Sequence, residues 1–359
     1  MRFDRFHDAY LAALDDVRSQ PQFRNAPRGH QSRERLNYQF ALANPVERVC
    51  YLASRRTNIV FNFAEALWYL SARDDLDFIG YYNRKMREYS MNGQTLTGTA
   101  YGPKIFRFGT GQMNQWQRIA HLLGRDDPDS KRAFIQIFDA NEVIGSANID
   151  VSCTLGLQFF VREQKLYAIA YMRANDAFRG MVSDVFSFTF MQELLARELG
   201  LELGDYYHVV GSVHIYQPDD EAVERVLAEA ASGTMGPRDE FPVMPSGNPW
   251  PYLETVLEYE SLLREDRITL SGPDIEALDL PAYWQQVLLL FSFYQSIAYR
   301  RPADASVLRA LCPLYQRLLH YKWPHQAALP LFEHQVRNRR DYNADVVEGR
   351  GCGEAVRGV

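Results

Sequence analysis

Residues 153–172 carry the strictest pattern in the chain. Leu155, Leu157, Phe159 and Val161 alternate with polar or small neighbours, Arg162-Glu163-Gln164 reads as a turn, and Leu166, Ala168, Ala170 and Met172 then alternate again. A period of two on both sides of a polar turn predicts a strand–turn–strand unit with one face against a core. The period then changes. Val182, Val185, Phe186, Phe190 and Leu194 predict a helix that ends near Gly200, and Tyr206–Ile215 predicts another strand. Such a unit folds only if the helix has a sheet to bury its stripe against, which confines the chain to layered architectures.

The rest of the chain is read the same way. Phe63, Leu67 and Leu70 predict a helix over residues 59–72, and Arg132–Asp139 reads as a buried strand. Residues 219–231 predict a helix and the Gly- and Pro-rich stretch 233–251 a loop. Ala282–Tyr299 and Ser306–Tyr321 read as aromatic-rich helices. Residues 1–50 are polar and mixed, Arg28–Arg35 reads as a loop rich in basic donors, and the charged, Gly-rich residues 337–359 are expected to be mobile. Strands and helices mixed without regular alternation indicate α+β rather than a doubly wound sheet.

Composition narrows the function. With 47% apolar and 23% charged residues the chain can bury a core. A net charge of −6 argues against general nucleic-acid binding, yet leaves room for a small phosphorylated substrate held by a few arginines. No apolar run is long enough to span a bilayer, and Met1-Arg2-Phe3-Asp4-Arg5 lacks the apolar core of a secretion signal. Cys50, Cys153, Cys312 and Cys352 have no paired spacing, so neither a disulfide framework nor a zinc site is expected. A reducing cytoplasm fits, and it would keep a catalytic thiol free.

Four groups carry chemistry. Cys153 opens the first strand of the hairpin in Asp150-Val151-Ser152-Cys153-Thr154. Arg173-Ala174-Asn175-Asp176-Ala177-Phe178-Arg179-Gly180 ends the second, followed by Asp184 and, farther on, His214-Ile215-Tyr216. Each has a bland reading by itself: a buried small cysteine, a surface ion pair, a helix-capping aspartate, a structural His-x-Tyr. Their order changes the weighing. It resembles the thymidylate synthase family, in which a cysteine nucleophile is followed by Arg-Ser-x-Asp-x-Phe-x-Gly, a base-reading asparagine and His-x-Tyr. The resemblance covers residues 50–217.

The resemblance implies a thymidylate synthase-like α+β fold, a mixed sheet with packed helices whose open face serves dimerisation. It implies Cys153 as nucleophile and Glu65, in Ala64-Glu65-Ala66-Leu67-Trp68, as the proton shuttle, with Tyr101 lining the nucleophile's pocket. Arg173 and Arg28 would bind the nucleotide phosphate. Lys131 and Arg132, after Asp127-Pro128-Asp129-Ser130, would reach the phosphate of a neighbouring subunit, which implies a homodimer with shared sites. His214 and Tyr216 would hold the sugar. Asp176 and Gly180 would lie against the co-substrate, 5,10-methylenetetrahydrofolate. No metal is demanded.

Several positions depart from the family. Ser152 and Thr154 replace the proline and histidine that flank its cysteine. Asp184 stands where the asparagine reads uracil; a carboxylate there suits the ring nitrogen and amine of cytosine and resembles the cytidylate hydroxymethylase branch. Tyr81–Ser90 lacks the tryptophan that excludes water in the synthases, so water, not hydride, would reach the one-carbon unit. Ala174 replaces the serine after the arginine and leaves room for a ribose hydroxyl. The folate-covering tail of the synthases has no clear match in Glu348–Val359.

These readings converge on a CMP 5-hydroxymethylase giving 5-hydroxymethyl-CMP and tetrahydrofolate. The alternatives are a dCMP 5-hydroxymethylase, a thymidylate synthase proper, and a nucleotide-binding regulator without catalysis. The expected organisation is an N-terminal segment (1–50) with the phosphate loop, a catalytic core (51–217), and a C-terminal helical extension and tail of the same domain (218–359).

Overall fold

The computed structural model of the protein describes residues 1–144, 148–233 and 239–328. The strands are β1 (Arg2–Phe3), β2 (Phe23–Asn25), β3 (Ser32–Leu42), β4 (Phe134–Gln136), β5 (Thr154–Arg162), β6 (Lys165–Asp176) and β7 (Glu202–Tyr216). The helices before the hairpin are α1 (Phe6–Ser19), α2 (Ile59–Leu70), α3 (Leu76–Tyr82), α4 (Tyr101–Phe106) and α5 (Gln115–His121). After it come α6 (Met181–Leu199), α7 (Asp220–Ala231), α8 (Trp250–Arg264), α9 (Gly272–Glu276), α10 (Ala282–Ala298), α11 (Ala305–Ala310) and α12 (Pro313–Lys322).

The alternating stretch forms the predicted hairpin. β5 and β6 pair antiparallel down to Arg162 opposite Lys165. Glu163 and Gln164 close the turn with φ of 51° and 59°, the doubly left-handed geometry that matches the strands' twist. From β6 the chain crosses through α6 and returns as β7, parallel to β6. Gly200, at φ 69°, ends α6 in a left-handed cap where the spacing predicted its end. β3 joins β7 antiparallel, giving the order β1-β3-β7-β6-β5-β4 with β2 beside β3. This mixed sheet with helices packed on it is the α+β architecture expected.

Alternation decides the faces. Leu157, Phe159, Leu166, Ala168, Ala170, Met172, Tyr206 and Val210 are buried. α2 and α6 pack with them; α2 is buried on every side and so is almost wholly apolar. On the opposite face Phe160, Tyr167, Ile169, Tyr171 and Val209 are only half-buried, and Tyr207 is exposed. The C-terminal helices pack back on the core: the Tyr294 hydroxyl donates to the Tyr81 and Tyr82 carbonyls at 3.0 and 3.2 Å.

The structure departs from the sequence reading in four places. Ser32–Arg35, read as loop, pairs with β7 from Tyr216 to Val213, because backbone bonding does not depend on how basic the side chains are. The polar-looking N-terminus contains α1, whose Phe6, Tyr10, Ala13, Leu14 and Val17 bury one stripe. Only Phe134–Gln136 of the 132–139 run forms a strand, at the sheet edge. Ser306–Tyr321 is two helices, because Pro313 lacks the N–H that would continue the first and starts the second instead. The expected mobile tail at 337–359 and part of the 233–251 loop lie outside the described residues.

Candidate active site

Parallel strands joined by a crossover helix gather side chains at the strands' carboxyl end. Here that end of β6 carries Arg173 to Asp176, and Asp184 follows in the first turn of α6. Cys153 immediately precedes β5 and is held to β6 by Arg173 N–H donating to its carbonyl at 2.8 Å. The Arg173 guanidinium curls back, donating through Nε to the Ser152 carbonyl (2.8 Å) and through Nη2 to that of Val151 (3.0 Å). This leaves Nη2 3.8 Å from the Cys153 sulfur. Burial pushes the thiol up; the guanidinium pulls it back toward the reactive thiolate.

The segment before the nucleophile is anchored by polar side chains. The Asp150 carboxylate accepts from the backbone N–H groups of Thr97, Gly98 and Thr99 at 2.8, 2.9 and 2.8 Å. Gly98 is required there, since a Cβ would sit 2.0 Å from the Asp150 carbonyl oxygen. Ser152 N–H donates to Glu142 at 2.7 Å, its hydroxyl to the Gly98 carbonyl at 2.8 Å, and Lys104 bonds both side chains. Thr154 donates its hydroxyl to Tyr101 Oη at 3.1 Å. The two flanking departures are thus both hydrogen-bonded to the stretch that leads into α4, Ser152 to Gly98 and Thr154 to Tyr101.

Glu65 projects from the middle of α2 and is buried. Burial, with Asp184 close by, pushes its carboxyl up to about 8, against a hydrogen bond with Tyr69. Asp184 is itself pushed up to about 7 by burial, against a 2.7 Å hydrogen bond donated by Asn175 Nδ2. Tyr101 stacks on Tyr69 with ring centroids 4.8 Å apart, and Asp184, Cys153 and Glu65 all raise its proton affinity. Cys153, Glu65, Tyr101, Arg173 and Asp184, far apart in the chain, therefore share one electrostatic neighbourhood.

Asp176 lies opposite His214 across β6 and β7. Its Oδ1 accepts from the N–H groups of Phe178 and Arg179 at 2.9 Å each, and burial raises its proton affinity. His214 and Tyr216 meet edge to face at 4.9 Å, and His30 packs edge-on to Tyr216 at 6.1 Å. This contact brings the Arg28 turn to the site; Arg28, at φ 53°, is near enough to favour the Cys153 thiolate. Ala174 is half-buried and pairs with Ser212. Gly180 starts α6, where a Cβ would lie 3.3 Å from both Asn175 Nδ2 and Asp184 Oδ2. Lys131 and Arg132 are exposed beside β4, and among the described residues no hydrogen bond joins them to this cluster. Surface concavities lie beside Ser32 and Gln217 and beside Lys104 and Glu142; neither is lined by Cys153 or Asp184.

Sequence reasoning missed Asn175, His208, Tyr206, Tyr69, Asp150 and Tyr89. Asn175 sits inside the motif, between Ala174 and Asp176. Tyr89 is half-exposed, and the charges of Arg179, Asp176 and Arg28 act on it. It is an aromatic ring within electrostatic reach of Asp176, in a stretch without tryptophan. Among the described residues no group of three or more His, Cys, Asp or Glu is placed to hold a metal, and no helix is long and apolar enough to cross a membrane.

The family profile described as thymidylate synthase matches residues 8–237. A deoxyuridylate hydroxymethyltransferase of Bacillus phage SP01 is 30% identical over 230 residues, covering 61% of this chain and 59% of the relative. Proteins of the same description from Pseudomonas phage M6 and Delftia phage PhiW-14 are 28% and 30% identical, covering 72% and 66% of this chain and 67% and 66% of theirs. The chain thus spans about six-tenths to two-thirds of the length of these relatives.

Proposed function

This chain belongs to the thymidylate synthase family, and from that premise we propose that it hydroxymethylates a pyrimidine nucleotide at ring carbon five, with CMP as the substrate. The observation that carries the reading is the carboxyl of Asp184, poised near neutrality beside Cys153 and Glu65. Cytosine offers an acceptor ring nitrogen and a donor amine. A carboxyl group that holds one proton meets both, and delivers that proton when the ring nitrogen becomes basic.

The residues then divide the work. Cys153, as thiolate, adds to ring carbon six, and Asp184 protonates the ring nitrogen as electrons move into the ring. Ring carbon five becomes nucleophilic. The co-substrate 5,10-methylenetetrahydrofolate supplies the one-carbon unit at the oxidation level of formaldehyde. Glu65, whose raised proton affinity suits a base working near neutral pH, takes the proton from ring carbon five. Tetrahydrofolate leaves the one-carbon unit, water adds to the exocyclic methylene that results, and Cys153 is expelled as the ring nitrogen returns its proton to Asp184. The balance is CMP, methylenetetrahydrofolate and water to 5-hydroxymethyl-CMP and tetrahydrofolate.

Arg173 and Arg28 bind the phosphate, and His214 and Tyr216 the sugar. The donor set suits a pterin: Asp176 spends Oδ1 on two backbone N–H groups, and Oδ2 has no hydrogen bond among the described residues. Gly180 and Tyr89 border that side. Lys131 and Arg132, apart from the cluster, fit a role across a homodimer built on the half-buried sheet face of Phe160, Tyr167, Ile169 and Tyr171.

A second reading has its own support. The relatives are described as deoxyuridylate hydroxymethyltransferases, and a protonated Asp184 can donate to a uracil carbonyl while accepting the ring N–H. Incubation with methylenetetrahydrofolate and each of CMP, dCMP, UMP and dUMP, read by mass spectrometry, decides. Addition of one hydroxymethyl group to CMP in preference to the others is expected; turnover of dUMP alone refutes the cytosine reading.

A further inference from the structure

Behind Asp184 runs a chain of buried polar groups that the mechanism does not use. Asn175 Nδ2 donates to Asp184 Oδ2 at 2.7 Å, Asn175 Oδ1 lies 2.9 Å from His208 Nε2, and His208 Nδ1 lies 2.8 Å from Tyr206 Oη. Asn175 is 3% exposed, and His208 and Tyr206 are fully buried. His208 packs against Phe40 at 5.0 Å.

The polarity of this chain is determined by valence. An imidazole buried without an acid beside it stays neutral and carries one N–H. Asn175 Oδ1 can only accept, so His208 Nε2 donates to it, and Nδ1 accepts from the Tyr206 hydroxyl. Every donor points toward Asp184. Oδ2 is held as an acceptor, and a proton on the carboxyl belongs on Oδ1. Gly180 leaves the space for this arrangement, since any Cβ there would crowd both atoms of the Asn175–Asp184 bond.

A carboxyl whose proton is confined to one oxygen presents a donor and an acceptor in a set order. Cytosine and uracil present the complementary pair in opposite orders: amine donor then ring acceptor, or carbonyl acceptor then ring donor. We propose that Asn175, backed by His208 and Tyr206, is a positioning residue that fixes which oxygen of Asp184 meets each edge of the base and so sets the choice between cytosine and uracil. This rests on Asp184 reading the base, as proposed above. For cytosine, Oδ2 faces the amine and Oδ1 the ring nitrogen.

The test is a double-mutant cycle on selectivity, with kcat/KM for CMP and UMP measured in wild type, Asn175→Leu, Asp184→Asn and the double variant. Asn175→Leu is expected to lower the CMP/UMP ratio roughly tenfold to a hundredfold, the scale of leaving a buried polar group without its partner. In the Asp184→Asn background the same change should move the ratio by less than about threefold, because the group it acts through is gone. If the leucine variant does not fold, Asn175→Ser, which keeps a small polar group but cannot span to Asp184, takes its place. Equal losses on both nucleotides, with the ratio unchanged, reduce the chain to a structural network and overturn the proposal. If Asp184→Asn shifts the ratio and Asn175→Leu does not, the relay falls alone; if Asp184→Asn leaves it unchanged, base reading falls too.

Discussion

The Arg173 guanidinium stands 3.8 Å from the Cys153 sulfur while its other contacts tie it to the carbonyls of Ser152 and Val151, just before the nucleophile. The arginine that would bind phosphate is thus also the cation that favours the thiolate. Arg173→Gln should move the alkylation of Cys153 by iodoacetamide to higher pH and slow it about threefold to tenfold at neutral pH. Peptide mass spectrometry after timed alkylation measures this, and an unchanged pH dependence would separate the two groups.

Cys153→Ala removes the sulfur proposed to add to ring carbon six. Tritium release from CMP labelled at ring carbon five should then vanish, because exchange at that carbon needs prior addition at its neighbour. Release at the wild-type rate would take Cys153 out of the mechanism.

Asp184→Asn exchanges a proton-sharing carboxyl for an amide with a permanent N–H. Preference should swing from CMP toward UMP by at least about a hundredfold in the kcat/KM ratio, since a buried reading group left mismatched is heavily penalised. The measurement is competition between the two nucleotides in one tube.

Ala174→Ser should favour dCMP over CMP by about tenfold, the scale of a small steric change in a closed pocket. The ratio of kcat/KM for the two nucleotides reports it; equal losses on both would place the ribose hydroxyl elsewhere.

Glu65 sets a pH dependence of stability with a definite sign. Its folded carboxyl is pushed from an ordinary value of 4.5 up to about 8, so between those limits the folded protein holds a proton that the unfolded chain has released. Stability therefore falls as pH rises through that window, and the penalty is absent below it. Glu65→Gln should stabilise the free protein at pH 8, on the order of 2–4 kcal/mol, and leave it little changed near pH 4. Turnover should drop about a hundredfold or more. Urea unfolding at both pH values, with activity alongside, checks both halves.

Much of this molecule was legible before any coordinates. The period-two runs around Glu163 and Gln164 determined the hairpin, because burying one face of a strand dictates alternate apolar residues whatever surrounds it. The ordered motif from Cys153 to Tyr216 carried the family and the candidate residues, since chemistry ties residue types to short spacings. Local pattern was silent where distant segments decide. Ser32–Arg35 became a strand only because β7 offered it a ladder, and α1 exists because the sheet needed its inner face covered. The raised proton affinity of Asp184, the pressure it puts on Glu65 from 119 positions farther along the chain (184 − 65), and the string of donors from Tyr206 through His208 to Asn175 arise from burial and from groups distant in sequence. Desolvation and hydrogen-bond direction depend on what packs around a group in three dimensions, and no reading of neighbours along the chain contains them.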